Sequence, residues 1–90
     1  MIEKRIEELV KGDLYDAEEL VFKFTASHGL DESLPWIASV IRTAENKLFE
    51  VVSVERDGDS FFISSEPFDM LATIGDTVFV LEDGEDANWF

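Results

Sequence analysis

Ninety residues suffice for one domain around one core, and the lack of cysteine excludes disulfides, thiolate metal sites, iron–sulfur clusters and cysteine nucleophiles. A hydrophobic share of 46% with eight Phe argues for a folded chain, since acidic disordered segments are poor in aromatics. The net charge of −14 excludes the counterion-release affinity that holds most proteins on nucleic acid, and it is unevenly placed: residues 48–90 hold eleven Asp and Glu against Arg56 alone, whereas residues 1–47 hold ten acids against six bases.

In chain order, residues 3–11 predict a short helix with Ile6, Leu9 and Val10 on one face and Gly12 to end it. Asp13 to Asp16 reads as a turn. Asp16 then suits an N-cap, because Glu19 three positions later completes a capping box, and Ala17, Leu20, Val21, Phe24 and His28 share the stripe of a second helix stopped by Gly29. Pro35 fits the first position of a third helix running to about Asn46, whose seam is Leu34, Ile37, Ile41, Ala44 and Leu48.

At Leu48 the hydrophobic period drops to two, and Leu48 to Glu55 reads as a strand. Asp57-Gly58 predicts a two-residue type I′ turn, which sets Arg56 opposite Asp59, Val54 opposite Phe61 and Val52 opposite Ile63. Pro67 ends the second strand. A turn or short helix is expected around Phe68 to Ala72, and Thr77 to Glu82 forms a third strand, apolar on both faces and so buried on both. The expected fold is α+β, three N-terminal helices followed by a three-stranded antiparallel sheet, with one domain over residues 1–86 and an aromatic tail at residues 87–90.

Two helices joined by a short turn and followed by a hairpin resemble the core of a winged helix, with residues 33–46 as its recognition helix and residues 48–64 as its wing. Those segments offer only Arg42 and Arg56 as cations. Duplex DNA would be repelled, so the resemblance implies contact with protein.

The chemistry-bearing residues point away from catalysis. His28 stands near Ser27, Asp31 and Ser33, but these polar residues around a Gly29 helix stop are what caps and turns require, and no Gly-x-Ser-x-Gly elbow occurs. Ser53 to Ser64 places Glu55, Asp57 and Gly58 at the third, fifth and sixth positions of a calcium loop, yet serines occupy the first and last positions, where carboxylates are needed. Glu32-Ser33-Leu34 resembles the prosthetic-group attachment point of acyl carrier proteins over three residues, without the usual Asp before Ser. The β-rich second half departs from that all-helical fold. The sequence therefore predicts no enzyme, no cofactor and no metal ion.

Charge carries the functional expectation. A compact chain of this size has a diameter of roughly 30 Å, and duplex of that length carries roughly 18 charges, about half on one side. Nucleic-acid mimicry is thus quantitatively permitted if the carboxylates share a face. Candidate partner-binding residues are Glu50, Glu55, Asp57, Asp59, Glu66, Asp69, Glu82, Asp83, Glu85 and Asp86 for steering, with Phe62, Trp89 and Phe90 as apolar anchors. The run from Glu82 to Phe90 resembles in form the acidic, Phe-terminated tails of single-stranded DNA-binding proteins, which dock partner proteins through an apolar pocket flanked by basic residues. Asn88-Trp89 departs from that form, and burial of Trp89 and Phe90 against the core is the competing expectation.

The leading expectation is a small acidic protein-binding module, an inhibitor that mimics nucleic acid and blocks a basic site on a nuclease or another nucleic-acid-handling protein. The alternative is a winged-helix-like adaptor or regulatory protein that dimerises or docks through apolar surface around Trp36, Val40 or Phe62, its charge serving solubility. The expected partner is the basic surface of a protein, with no direct nucleic acid and no membrane, and a homodimer stays open. No apolar run approaches the ~18 residues of a membrane span, and a cytoplasmic location is expected.

Overall fold

Glu3, Lys4 and Arg5 lie between Ile2 and Ile6 at the start of the chain, and such charged residues suit the edge of a sheet. In the computed structural model, which describes residues 1–82, Ile2–Arg5 forms strand β1 and Ile6–Glu8 a single 3-10 turn. The helix expected over residues 3–11 is absent. Nine residues make a marginal helix in water, whereas β1 gains a full ladder with Thr77–Val80, pairing Ile2 with Val80 and Lys4 with Val78. Ile6 and Leu9 still reach the core, from the turn and the residue that ends it.

The remaining elements are β2 (Leu14–Tyr15), α1 (Glu18–Ser27), α2 (Pro35–Asn46), β3 (Phe49–Asp57), β4 (Ser60–Glu66), β5 (Met70–Thr73) and β6 (Thr77–Val80). They form two helices and one six-stranded antiparallel sheet of order β1-β6-β2-β3-β4-β5. The α+β class holds, but the expected three helices and three strands do not. The winged-helix resemblance falls with them, because the hairpin is the middle of a broad sheet and not a wing. Residues 70–73, the first three of which fall within the turn or short helix expected at 68–72, form an edge strand whose side chains alternate between buried and exposed.

The N-cap of α1 is Ala17 and not the expected Asp16, and the capping box with Glu19 does not form; Asp16 Oδ1 instead accepts the Glu18 N–H at 3.0 Å, and Gly29 adopts φ 61 just past the end of the helix. Pro35 takes the first helical position of α2. Ile37 and Ala44 are buried and Ile41 is half-buried, so the expected seam forms, although Leu34 at its start is exposed.

The hairpin turn sits one residue later than expected, so each β3 residue faces a partner two positions further along β4. Asp57 pairs with Ser60, Arg56 with Phe61, Glu55 with Phe62 and Val54 with Ile63. Gly58 supplies the positive φ from the first central position, where type II′ turns take glycine. A bulge between Val51 and Ser53 then leaves Val52 exposed, and this restores Val51 and Phe49 to the buried face. Strand β6 also departs from expectation. Val78 and Val80 are buried, but Phe79 is 47% exposed.

The sheet must curl. Strands β6 and β5 stand four places apart, about 19 Å in a flat sheet at ~4.8 Å per step, yet only Ile74, Gly75 and Asp76 join them, a reach of at most about 14 Å. The joining turn is fastened on both sides: Ile74 N–H donates to Asp59 O at 2.8 Å, and Ile6 N–H donates to Asp76 O at 3.2 Å. Helix α1 lies across the gap, with Glu18 and Phe22 beside β6 and Phe24 and His28 beside β5. Inside the curl, Leu20 and Val21 of α1 and Ala44 of α2 join Tyr15, Phe49, Val51, Phe61, Ile63, Val78 and Val80 in one core.

Asp76 holds this closure. Its Oδ2 accepts the Thr73 N–H at 2.8 Å, and its other oxygen pairs with Lys23 of α1. Partial burial pushes the Asp76 carboxyl up, but the hydrogen bonds from Lys23 and Thr73 outweigh it and hold the group below its ordinary 3.8. Asp76→Ala is expected to cost about 1.5–3 kcal/mol in urea unfolding, the range for hydrogen bonds to a charged group. Because the folded value is lowered, this stabilisation is present above the ordinary value and is lost as pH falls through the folded one. The gap between parent and variant should therefore narrow in acid; a gap that stays constant down to strongly acidic pH would contradict the assignment.

Candidate partner-binding groove

The free side of β5 borders an apolar groove of about 490 Å³ between the strand and the two helices. Its floor is Val21, Thr25, Ile37 and Met70, all buried. Trp36, Val40, Phe24 and Leu30 wall it from the helices, and Phe62, Phe68 and Leu71 wall it from the sheet. Trp36 is 58% exposed, Leu71 45% and Phe62 40%. Large apolar side chains exposed singly need no explanation, but several facing one hollow mark an interaction surface. A second hollow of about 340 Å³ continues along β5 between Phe24, His28, Leu71, Thr73 and Asp76.

The sheet wall is held from behind by buried polar chemistry. Ser65 Oγ donates to Phe68 O at 2.6 Å, so the Tyr15 hydroxyl, 2.8 Å from Ser65 Oγ, is the donor of that pair. Burial pushes the Tyr15 hydroxyl up to about 12; the Ser65 hydrogen bond offsets part of this, and the Asp69 charge adds to it. Asp69 Oδ1 accepts the Ser65 N–H at 3.1 Å. The Phe68 ring lies 6.3 Å from that of buried Phe49. Phe68 is thus placed by its backbone and by its ring.

Most of the expected hairpin carboxylates lie on the outward face of β3 and β4, the face from which Phe62 reaches the groove wall. Phe49 and Val51 face the core, so Glu50 faces outward, directly opposite Glu66. Beyond the bulge, Glu55 and Asp57 face outward too, and one cross-strand row reads Glu55, Phe62, Leu71. Asp59 sits on the hairpin turn. Among the described residues, none of Glu50, Glu55, Asp57, Asp59 and Glu66 forms an ion pair. Arg56, the cation nearest in sequence, is used by its own hairpin: its Nε donates to Gly58 O at 2.8 Å and its guanidinium lies 5.4 Å from the Phe61 ring centroid. Like charges directly opposite across a ladder are destabilising, and Glu50 and Glu66 keep that arrangement.

Of the other expected site residues, Asp69 lines the groove and Glu82 is exposed after β6. Asp83, Glu85, Asp86, Trp89 and Phe90 lie outside the described residues. Asp31 and Glu32, both exposed, follow Leu30 in the loop between the helices. Asp31 Oδ1 accepts the Ser33 N–H at 2.9 Å, and this backbone hydrogen bond, with one from the Ser33 hydroxyl, holds its carboxyl below the ordinary range. His28 and Ser27 make only local contacts at the end of α1, to each other and to Phe24 O. Sequence reasoning named Trp36, Val40 and Phe62 but missed Phe24, Leu30, Phe68 and Leu71. For Leu71 the sequence signal is the alternation at residues 70–73 between Pro67 and Gly75, and for Phe24 it is its place on the apolar stripe of α1.

Among the described residues, no group of three or more His, Cys, Asp or Glu is placed to hold a metal ion, and no helix is long and apolar enough to cross a membrane. Comparison with protein-family models, with curated proteins and with solved structures gives no match.

Proposed function

We propose that this protein is a protein-binding module that seats an apolar segment of a basic partner in the groove between α1, α2 and β5, with the carboxylates of the β3–β4 hairpin steering the encounter. One observation carries the proposal: Glu55 lies in the same cross-strand row as Phe62 and Leu71, so the unpaired acids and the exposed apolar wall share one surface. Apolar anchors in a hollow supply affinity, and charges around them supply rate and choice of partner. The directly opposed Glu50 and Glu66 support the same reading, because a partner's cations would relieve their repulsion. A cytoplasmic setting is part of the proposal. So is inhibition by competition wherever the basic surface of the partner is its own nucleic-acid site.

A partner recovered on the immobilised protein at low salt provides the test by surface plasmon resonance. Replacing Glu55, Asp57 and Asp59 with Gln, Asn and Asn is expected to slow association about tenfold at low ionic strength and to change dissociation little. The difference should shrink as salt shortens the Debye length to about 3 Å near 1 M. Association indifferent to both salt and neutralisation would remove steering from the proposal. Displacement of the partner by duplex DNA would identify the blocked surface as a nucleic-acid site.

A further inference from the structure

We infer that the occupant of the groove is an extended segment of the partner, alternating apolar and cationic residues, that adds as a strand to the free edge of β5; this rests on the groove reading above and specifies the ligand. Strand β5 pairs with β4 alone, so it is an edge of the sheet. The orientation of its backbone follows from its neighbours. Ile74 N–H donates to Asp59 O, so in the alternating pattern of an antiparallel ladder Ala72 and Met70 bond to β4, while Thr73 and Leu71 turn their amides and carbonyls away from it. Thr73 agrees independently: its outward N–H goes to Asp76 Oδ2 at 2.8 Å, and its carbonyl accepts the Asp76 N–H at 3.0 Å. Among the described residues no loop or side chain takes the corresponding groups of Leu71.

Proteins usually cover such an edge or blunt it with charge. Here Asp76 stoppers the edge at Thr73, while the Leu71 end opens on the apolar groove. A strand laid beside β5 at ~4.8 Å would pair with Leu71 and point alternate side chains to opposite faces. One set descends toward Phe24, Trp36, Ile37 and Val40 and calls for large apolar residues. The other set lies over Leu71 and Phe62, where Lys or Arg stems would cover apolar surface and carry their heads toward Glu55 and Asp69. Charge complementarity thus selects a cationic segment and disfavours an acidic one.

Positional-scanning pools of hexapeptides provide the probe, with Lys or Arg at alternate positions and Val, Ile, Leu, Phe, Tyr or Trp between them. The full chain is followed by the Trp36 indole N–H and Leu71 amide signals in NMR. Binding pools should shift the Trp36 indole and slow exchange of the Leu71 amide at least tenfold. N-methylation of the best peptide should weaken binding at least tenfold in the register that faces β5 and less than threefold in the other. Equal tolerance of both registers, or tighter binding of a stapled helical peptide of the same composition, would overturn strand addition and leave the groove reading standing. Failure of every pool to shift the Trp36 indole, or equal binding of pools with Glu in place of the cations, would overturn both. Concentration-dependent protection of Leu71 without peptide would assign the edge to a second copy of this chain and likewise refute the inference.

Discussion

Phe49→Ala is expected to lower the free energy of unfolding by about 3–5 kcal/mol, the range for removing a buried aromatic ring from a core that relaxes only in part. Phe49 is fully buried at the start of β3, where its backbone pairs with Tyr15. Its ring meets the Tyr15 ring edge-on at a centroid distance of 5.9 Å and lies behind Phe68. The substitution therefore opens a void where the helix-covered core meets the wall of the groove. Urea denaturation followed by circular dichroism should show a lower midpoint with little change in slope. Phe49→Leu, which keeps most of the volume, should recover more than half of the loss. An alanine variant less than 1 kcal/mol from the parent would place the centre of the core elsewhere.

The second large effect falls on binding and leaves the fold alone. Trp36 stands in the first turn of α2 and is 58% exposed, so Trp36→Ala should change unfolding free energy by under about 1 kcal/mol. Partner affinity should fall at least 30-fold, about 2 kcal/mol, as expected for an aromatic anchor at the middle of an interface. Calorimetric titration of the partner identified by low-salt capture measures it directly. The loss should persist at high salt, where neutralising the hairpin acids no longer matters, because packing is not screened. A Trp36→Ala variant that binds as tightly as the parent would leave the carboxylates as the whole interface.

How much of this was legible in the sequence depends on range. Both helices announced themselves locally, through Pro35, Gly29 and apolar stripes that one segment of chain can display, and the β3–β4 hairpin did so through Gly58. Its register did not. Asp57-Gly58 fits the central pair of a turn as well as Gly58-Asp59 does, and only the bulge at Val52 reconciles the observed pairing with burial of Phe49 and Val51. Strand β1 was hidden by its Glu, Lys and Arg, which suit an exposed helix and a sheet edge equally. Strand β2 is two residues long and exists because β3 and β6 lie on either side of it.

The candidate site divides in the same way. The acids of the hairpin were legible because strand alternation places Glu55 and Asp57 together. Asp76 shows the opposite case, a member of the same acidic half that serves the fold through Lys23 and Thr73. Trp36, Val40 and Phe62 could be named as candidates for an apolar interface, although Val40 is half-buried. Their convergence with Phe68 and Leu71 could not, since it requires two helices and the edge of a curled sheet to meet.

The ladder between Ile2–Arg5 and Thr77–Val80 also bears on how the molecule comes to its shape. Partners so far apart along the backbone must await a slow, entropically costly encounter, and topologies of this kind fold on the order of milliseconds to seconds. Until that encounter, β6 lacks β1 on one side and has only the short β2 to pair with on the other. During synthesis, the same stretch would stay open to chaperones longer than the helices do.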